Sequence, residues 1–173
     1  MAVTIRKIEL KDAEILSALA KQTFYDTFVG TCTDEDMQQF LEEYYNVEKI
    51  KSELIIEDSF NFFAEADNVP VGYICFMEDY TDFPFMKKWK AIELKRLYLL
   101  KDFHGKGIAQ QLMNLFFDHA IKNNYEVAWL SVWEHNYKAQ KFYSKYGFEY
   151  SGNQHPFPIG NTPQTDMWFW KFL

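Results

Sequence analysis

At 173 residues the chain has room for one domain with a complete hydrophobic core, and the sequence is read as a single domain over 1–173. Hydrophobic residues make up 48% and aromatic residues 19%, which excludes a disordered chain, and 18 basic against 25 acidic residues give a formal charge of −7, a field that repels nucleic acid and favours cationic ligands. Cys32 and Cys75 are too few and too far apart for a disulfide framework or a metal site, and neither Met1–Ile8 nor any later stretch has the apolar length of a signal segment or membrane span, so a cytoplasmic protein without metal or membrane partner is expected.

Val3–Ile8 alternates as a short strand, and Leu10–Phe28 places Ile15, Leu16, Leu19, Ala20, Thr23, Phe24 and Phe28 at helical spacing. Thr33 before Asp34-Glu35-Asp36 reads as an N-cap with acid in the first turn, followed by the stripe Met37, Phe40, Leu41 and Tyr44; Asn46 caps a third helix running to about Ile56. Phe60–Ala66 and Val71–Glu78 form a hairpin about the turn residues Asp67-Asn68-Val69-Pro70. A polar connection, Tyr80–Lys90, leads to a strand over Ala91–Leu100 and a helix from Gly107 to Lys122. Glu126–Val132 is a strand, Asn136–Tyr146 a helix stopped by Gly147, Phe148–Gly152 a strand, Asn153–Pro163 a loop with three prolines, and Thr165–Phe172 the closing strand. The order β-α-α-α-β-β-β-α-β-α-β-β describes an α/β domain with a mixed, mostly antiparallel central sheet flanked by helices.

Two segments carry chemistry. In His104-Gly105-Lys106-Gly107-Ile108-Ala109-Gln110 a strand precedes, a helix follows, and glycines stand where a ligand approaches, so free N–H groups at the new helix can meet a pyrophosphate; a plain strand-to-helix turn uses the same glycines. The P-loop spacing is absent, and Gln110 falls where a dinucleotide-binding glycine is expected. In Asn136-Tyr137-Lys138-Ala139-Gln140-Lys141-Phe142-Tyr143, Tyr143 is either a core aromatic or a general acid that meets a departing thiolate. A free phenol titrates near about 10 and a thiol near about 8.5, so such a tyrosine helps chiefly by hydrogen-bonding the sulfur as its charge develops. Asn136 is an N-cap that can also bond a pantetheine amide, and Lys138, Lys141 and Lys145 share one helix face, solvated or turned to a nucleotide phosphate. His155 stands alone in the proline-rich loop, and no metal role is assigned to it.

Glu93 lies in an apolar strand near Lys95. It is either a structural acid or a base that removes, through water, the proton of an amine acceptor, whose neutral form at pH 7 costs roughly 4.6 kcal/mol.

These residues resemble the GNAT superfamily of acetyl-CoA-dependent N-acetyltransferases. The glycine turn matches Gln/Arg-x-x-Gly-x-Gly/Ala, with His104 departing from Gln or Arg, and Asn136, Ala139, Phe142, Tyr143, Gly147 and Phe148 match Asn-x-x-Ala-x-x-Phe-Tyr-x-x-x-Gly-Phe. The resemblance implies the GNAT-like fold with splayed strands forming a cofactor slot and acetyl-CoA as co-substrate. It implies backbone bonds to pantetheine from Leu97, Tyr98 and Leu99, a pyrophosphate cradle at His104, Gly105, Lys106, Gly107, Ile108, Ala109 and Gln110, and cofactor contacts from Asn136 and Lys145. It makes Tyr143 the acid and Glu93 the candidate base.

A further likeness in Thr23–Phe28, Trp129–Glu134 and the tail with His155, Gly160 and Gln164-Thr165-Asp166 is to PaiA-type polyamine N-acetyltransferases. It implies spermidine or spermine as acceptor, bound near Tyr25, Phe28, Glu93 and Trp133, and family habit suggests a homodimer. A protein or peptide amine as acceptor, and an acetyl-CoA-binding regulatory module, are the competing readings; acceptor turnover separates all three.

Overall fold

The computed structural model describes residues 2–173. Strand β1 (Val3–Lys7) is followed by a 3₁₀ turn over Leu10–Asp12 and helices α1 (Ala13–Phe28), α2 (Asp34–Tyr44) and α3 (Val47–Leu54). Strands β2 (Ser59–Ala66), β3 (Val69–Met77) and β4 (Ala91–Leu99) come next, then α4 (Ile108–Lys122), β5 (Val127–Trp133), α5 (Tyr137–Lys145), β6 (Glu149–Pro156) and β7 (Thr165–Phe172). One seven-stranded sheet has the order β1-β2-β3-β4-β5-β7-β6, and every neighbouring pair is antiparallel except β4 and β5. That parallel pair needs a crossover, which α4 supplies.

Local chemistry explains the elements. Thr33 and Asn46 accept from the N–H groups of Asp36 and Lys49, capping α2 and α3 as their sequence position predicts. Asp67 and Asn68 both have positive φ, as a two-residue hairpin turn requires, so β3 starts at Val69 and absorbs Pro70 at a register shift.

Helix α4 buries Ile108, Leu112, Met113, Phe116 and Ala120 against one sheet face with Ile74, Phe76, Ile92, Leu94 and Leu130; α1 to α3 cover the other through Leu16, Ala20, Phe24, Phe28, Phe40 and Ile50. Gly72 has a steric role in this packing. A Cβ there would overlap the Leu99 side chain and come within 2.7 Å of the Tyr98 carbonyl oxygen. Gly72→Ala is therefore expected to cost about 1–3 kcal/mol in denaturant unfolding.

Two segments differ from expectation. The supposed loop from Asn153 begins as a strand: β6 continues to Pro156, past a register shift between Tyr150 and Gln154. It can do so because β6 is the sheet edge, where proline removes no needed ladder bond. The Tyr80–Lys90 connection is more apolar than its charges suggest. It carries a 3₁₀ turn over Pro84–Lys88, buries Phe83 and Met86, and packs them with Trp129 and Trp168.

Candidate active site

Strands β4 and β5 pair only from Ala91/Val127 to Leu94/Leu130, although β4 runs on to Leu99 and β5 to Trp133. Beyond Leu94 they diverge. The divergence begins beside an extra residue in β4, since Cys75 pairs with Arg96 and Phe76 with Leu94, leaving Lys95 without a β3 partner. A cleft of about 1240 Å³ occupies this end of the sheet. Leu97, Tyr98 and Leu99 form one wall; Trp133, Asn136, Ala139, Phe142, Tyr143, Lys145 and Tyr146 form the other; and Gly105, Gly107, Ile108, Ala109 and Gln110 close one end.

Gly105 and Gly107 have φ of +75° and +78°, and a Cβ at either would meet nothing within 4 Å, so the main chain is bare on that side. The first α4 bond runs from the Gln111 N–H to the Gly107 carbonyl at 3.2 Å, which leaves the amides of the preceding turn for a ligand. Lys101, Lys138, Lys141 and Lys145 ring the cleft with positive charge, so the lysine face of α5 is turned to it, and His104 lines it as well. His104 reaches the Leu99 carbonyl through Nε2 at 3.0 Å and lies 2.7 Å from Lys138 Nζ through Nδ1. It joins the two walls where the motif has Gln or Arg. A bare turn, free amides and a cationic rim suit a diphosphate-bearing thioester such as acetyl-CoA. Lys106 is exposed and lies outside the lining.

Asn136 caps α5 through a bond from the Ala139 N–H at 3.1 Å and also lines the cleft. Tyr143 is 9% exposed, held between Phe142 and Phe148 at ring distances of 5.4 and 5.9 Å, with its phenol pushed upward by burial. Such a phenol keeps its proton and can donate it.

Glu93 does not line the cleft. It is 5% exposed beside its cross-strand neighbour Trp129, with Oε2 3.5 Å from Lys95 Nζ and without a hydrogen bond. Burial raises its carboxyl to about 7, against the pull of Lys95. Lys95 itself is held by Asp79 at 2.7 Å; burial alone would lift the Asp79 carboxyl, but the bonds from Lys95 and Thr81 bring it down to about 2.

This arrangement gives a pH prediction. Glu93 holds its proton to a higher pH when folded than when unfolded, so its contribution to stability is present at acid pH and lost as pH rises from about 4.5 through about 7. Relative to wild type, Glu93→Gln should gain about 2 kcal/mol between pH 5 and pH 8. Parallel thermal unfolding curves of the two proteins across that range would refute this.

On the acceptor side, Trp133 lines the cleft with Thr23, Asp26 and Thr27. Phe28 is buried behind it, 5.2 Å from the Trp133 ring, and Tyr25 is 42% exposed outside the lining. Several acidic residues near this end are taken up by the fold and are not free to attract a cationic acceptor. Asp36 accepts from the Asn161 N–H at 2.9 Å and from Thr162 Oγ1 at 2.7 Å, bonds that hold its carboxyl low. Glu42 pairs with Lys21. Asp26 is the acid that faces the cleft, 3.7 Å from Lys101 Nζ. Among the described residues no helix is long and apolar enough to cross a membrane, and no group of three His, Cys, Asp or Glu residues is placed to hold a metal ion.

Comparison with known proteins agrees with this geometry. Residues 19–148 match the model of the Acetyltransferase (GNAT) family. An uncharacterized N-acetyltransferase in the pepI 3′ region of Lactobacillus delbrueckii subsp. lactis is 32% identical over 171 residues, 99% of this chain and 98% of the relative. Spermidine N(1)-acetyltransferase of Thermoplasma acidophilum is 27% identical over 153 residues, 86% of this chain and 89% of that protein. Among solved structures, PaiA N-acetyltransferase from Thermoplasma acidophilum in complex with coenzyme A aligns over 100% of both chains with a TM-score of 0.80 at 23% identity. With a diverging parallel strand pair, a glycine turn at the head of α4 and a buried tyrosine all on one cleft, the chain is an N-acetyltransferase and belongs to the acetyltransferase (GNAT) family.

Proposed function

We propose that residues 1–173 act as one cytoplasmic N-acetyltransferase domain, a homodimer by family habit, that moves the acetyl group of acetyl-CoA to a primary amine of a small polycation such as spermidine or spermine. The observation that carries the reading is the meeting of Tyr143 and the Gly105–Gly107 turn on the cleft opened by β4 and β5. In this reading the amides of residues 105–110 and the surrounding lysines bind the pyrophosphate. The free β4 edge at Leu97–Leu99 and the side chain of Asn136 receive the pantetheine amides. Tyr143 then hydrogen-bonds the sulfur as its charge grows and supplies the thiol proton.

The acceptor class is supported by the Thermoplasma relative's name, by the −7 charge and by Asp26 beside the aromatic Trp133 at the cleft. A panel of polyamines, diamines, amino acids and lysine peptides, incubated with acetyl-CoA and read by product mass, is the test. Spermidine or spermine should be acetylated with the highest kcat/KM. Thiol release independent of every amine would reject acetyl transfer, and preferential peptide turnover would replace the acceptor class.

A further inference from the structure

Asp26 and Lys101 form, among the described residues, the one ion pair whose two members both line the cleft. Asp26 comes from the last turn of α1 and Lys101 follows the end of β4, so the pair joins the bank that holds Trp133 and Asp26 to the wall that leads into the glycine turn. Lys101 Nζ stands 3.7 Å from Asp26 Oδ1, which already accepts from Gln22 Nε2 at 3.0 Å. Neither contact uses Oδ2. The Asp26 side chain is 20% exposed and that of Lys101 59%, so the carboxylate is seated while the ammonium ends a chain free to swing.

The pairing has the form of an acceptor complex. A primary alkylammonium rests on a carboxylate in a cleft lined by the Trp133 indole, which is the chemistry a cationic amine would meet there, supplied in this case by the chain itself. At this separation and exposure the ion pair is weak, and a competing charge breaks it.

Lys101 has a second place to go. It opens the 3₁₀ turn over Lys101–Phe103, and its carbonyl accepts from the His104 N–H at 3.1 Å. Side chains three apart in such a turn rise from the same side, and Lys101 and His104 both line the cleft accordingly. His104 reaches over to Lys138 on the far wall. Lys101 therefore stands at the head of the segment that carries the amides of residues 105–110, inside the ring of cations that a diphosphate would face.

Resting on acetyl-CoA as donor and a cationic amine as acceptor, we propose that Lys101 couples the two halves of the cleft: in the free enzyme its ammonium occupies Asp26 in the acceptor's stead, and the phosphates of coenzyme A draw it off, so that Asp26 is vacated for the incoming ammonium once the donor is seated. One ammonium replaces another on the carboxylate, and no covalent bond changes. Lys101 is a positioning residue that sets the order of binding. Linkage makes the effect mutual, so whatever releases Lys101 from Asp26 also tightens coenzyme A.

The test is a double-mutant cycle read by calorimetric titration of coenzyme A at low salt, which needs no acceptor. Asp26→Asn should tighten coenzyme A about three- to fivefold, and Lys101→Met should weaken it by a similar factor. In the Lys101→Met background, Asp26→Asn should change the affinity by less than about 1.5-fold. A negative charge acting only at a distance gives the same tightening in both backgrounds, and that additive result overturns the proposal. Lys101→Arg keeps the charge and should restore wild-type behaviour. With the amine that wild type acetylates at the highest kcat/KM, saturating coenzyme A should lower the amine's Kd about fivefold in wild type and leave it unchanged in Lys101→Met, which binds that amine more tightly than wild type when coenzyme A is absent. Equal amine affinity in wild type with and without coenzyme A also overturns the proposal. If no polyamine is acetylated, the acceptor class falls, and the coenzyme A cycle still decides whether the Asp26–Lys101 pair answers to the donor.

Discussion

Tyr143→Phe should lower kcat by about 10²–10³-fold and leave coenzyme A affinity where it is. The ring stays packed between Phe142 and Phe148 in either protein, and the hydroxyl has no hydrogen-bond partner in the described chain, so its removal strands no buried donor. Unfolding free energy is therefore expected to move by no more than about 0.5 kcal/mol, which separates a loss of chemistry from a loss of fold. Burial holds the phenol in its protonated form throughout the ordinary assay range, so wild type has a donor at every pH tested and the variant has none. Thiol release measured with saturating amine checks this. A kcat within a few fold of wild type would remove Tyr143 from the chemistry.

Phe116→Ala is expected to cost about 3–5 kcal/mol of folding free energy, a large share of what a domain of this size holds in reserve. Phe116 is fully buried on α4, edge-on to Phe76 at 5.3 Å, in the cluster that joins α4 to β3, β4 and β5. Its loss leaves a cavity under the helix whose first turn faces the cleft. Urea unfolding should show a lower midpoint at unchanged slope. Coenzyme A at about one hundred times its Kd should return about 2.7 kcal/mol to wild type, and less to the variant if the head of α4 has loosened.

The helices and most strands were legible because their signals are local. Thr33 and Asn46 are caps in the sequence and caps in the structure, and the apolar stripes of α1 and α2 are the faces they bury except at Ile15 and Tyr44, which are 48% and 41% exposed because the helix surface turns to solvent there. The glycine turn was legible for the same reason, since two positive-φ glycines ahead of an amphipathic helix need no tertiary information. Distance in the chain hid the rest. No pattern within ten residues announces that Ser131 will meet His155 and Asp166 at hydrogen-bond distance, because the order β5-β7-β6 alone brings them together. The end of β6 was hidden by its proline, which argues against a strand except at an edge, and edge position is a property of the whole sheet. Phe83 and Met86 were masked by charged neighbours until Trp129 and Trp168 gave them something to pack against.

In the proposed reading, the parting of β4 from β5 places much of the donor site on peptide groups, atoms that every residue type shares. Most replacements along that wall leave its recognition surface in place, so the gripping half of the enzyme is buffered against mutational drift. In that reading the opposite bank, at Asp26 and Trp133, is written in side chains, and a single exchange there alters which nitrogen compound is welcome. Descendants of one such scaffold can therefore change diet without relearning how to hold their acyl carrier.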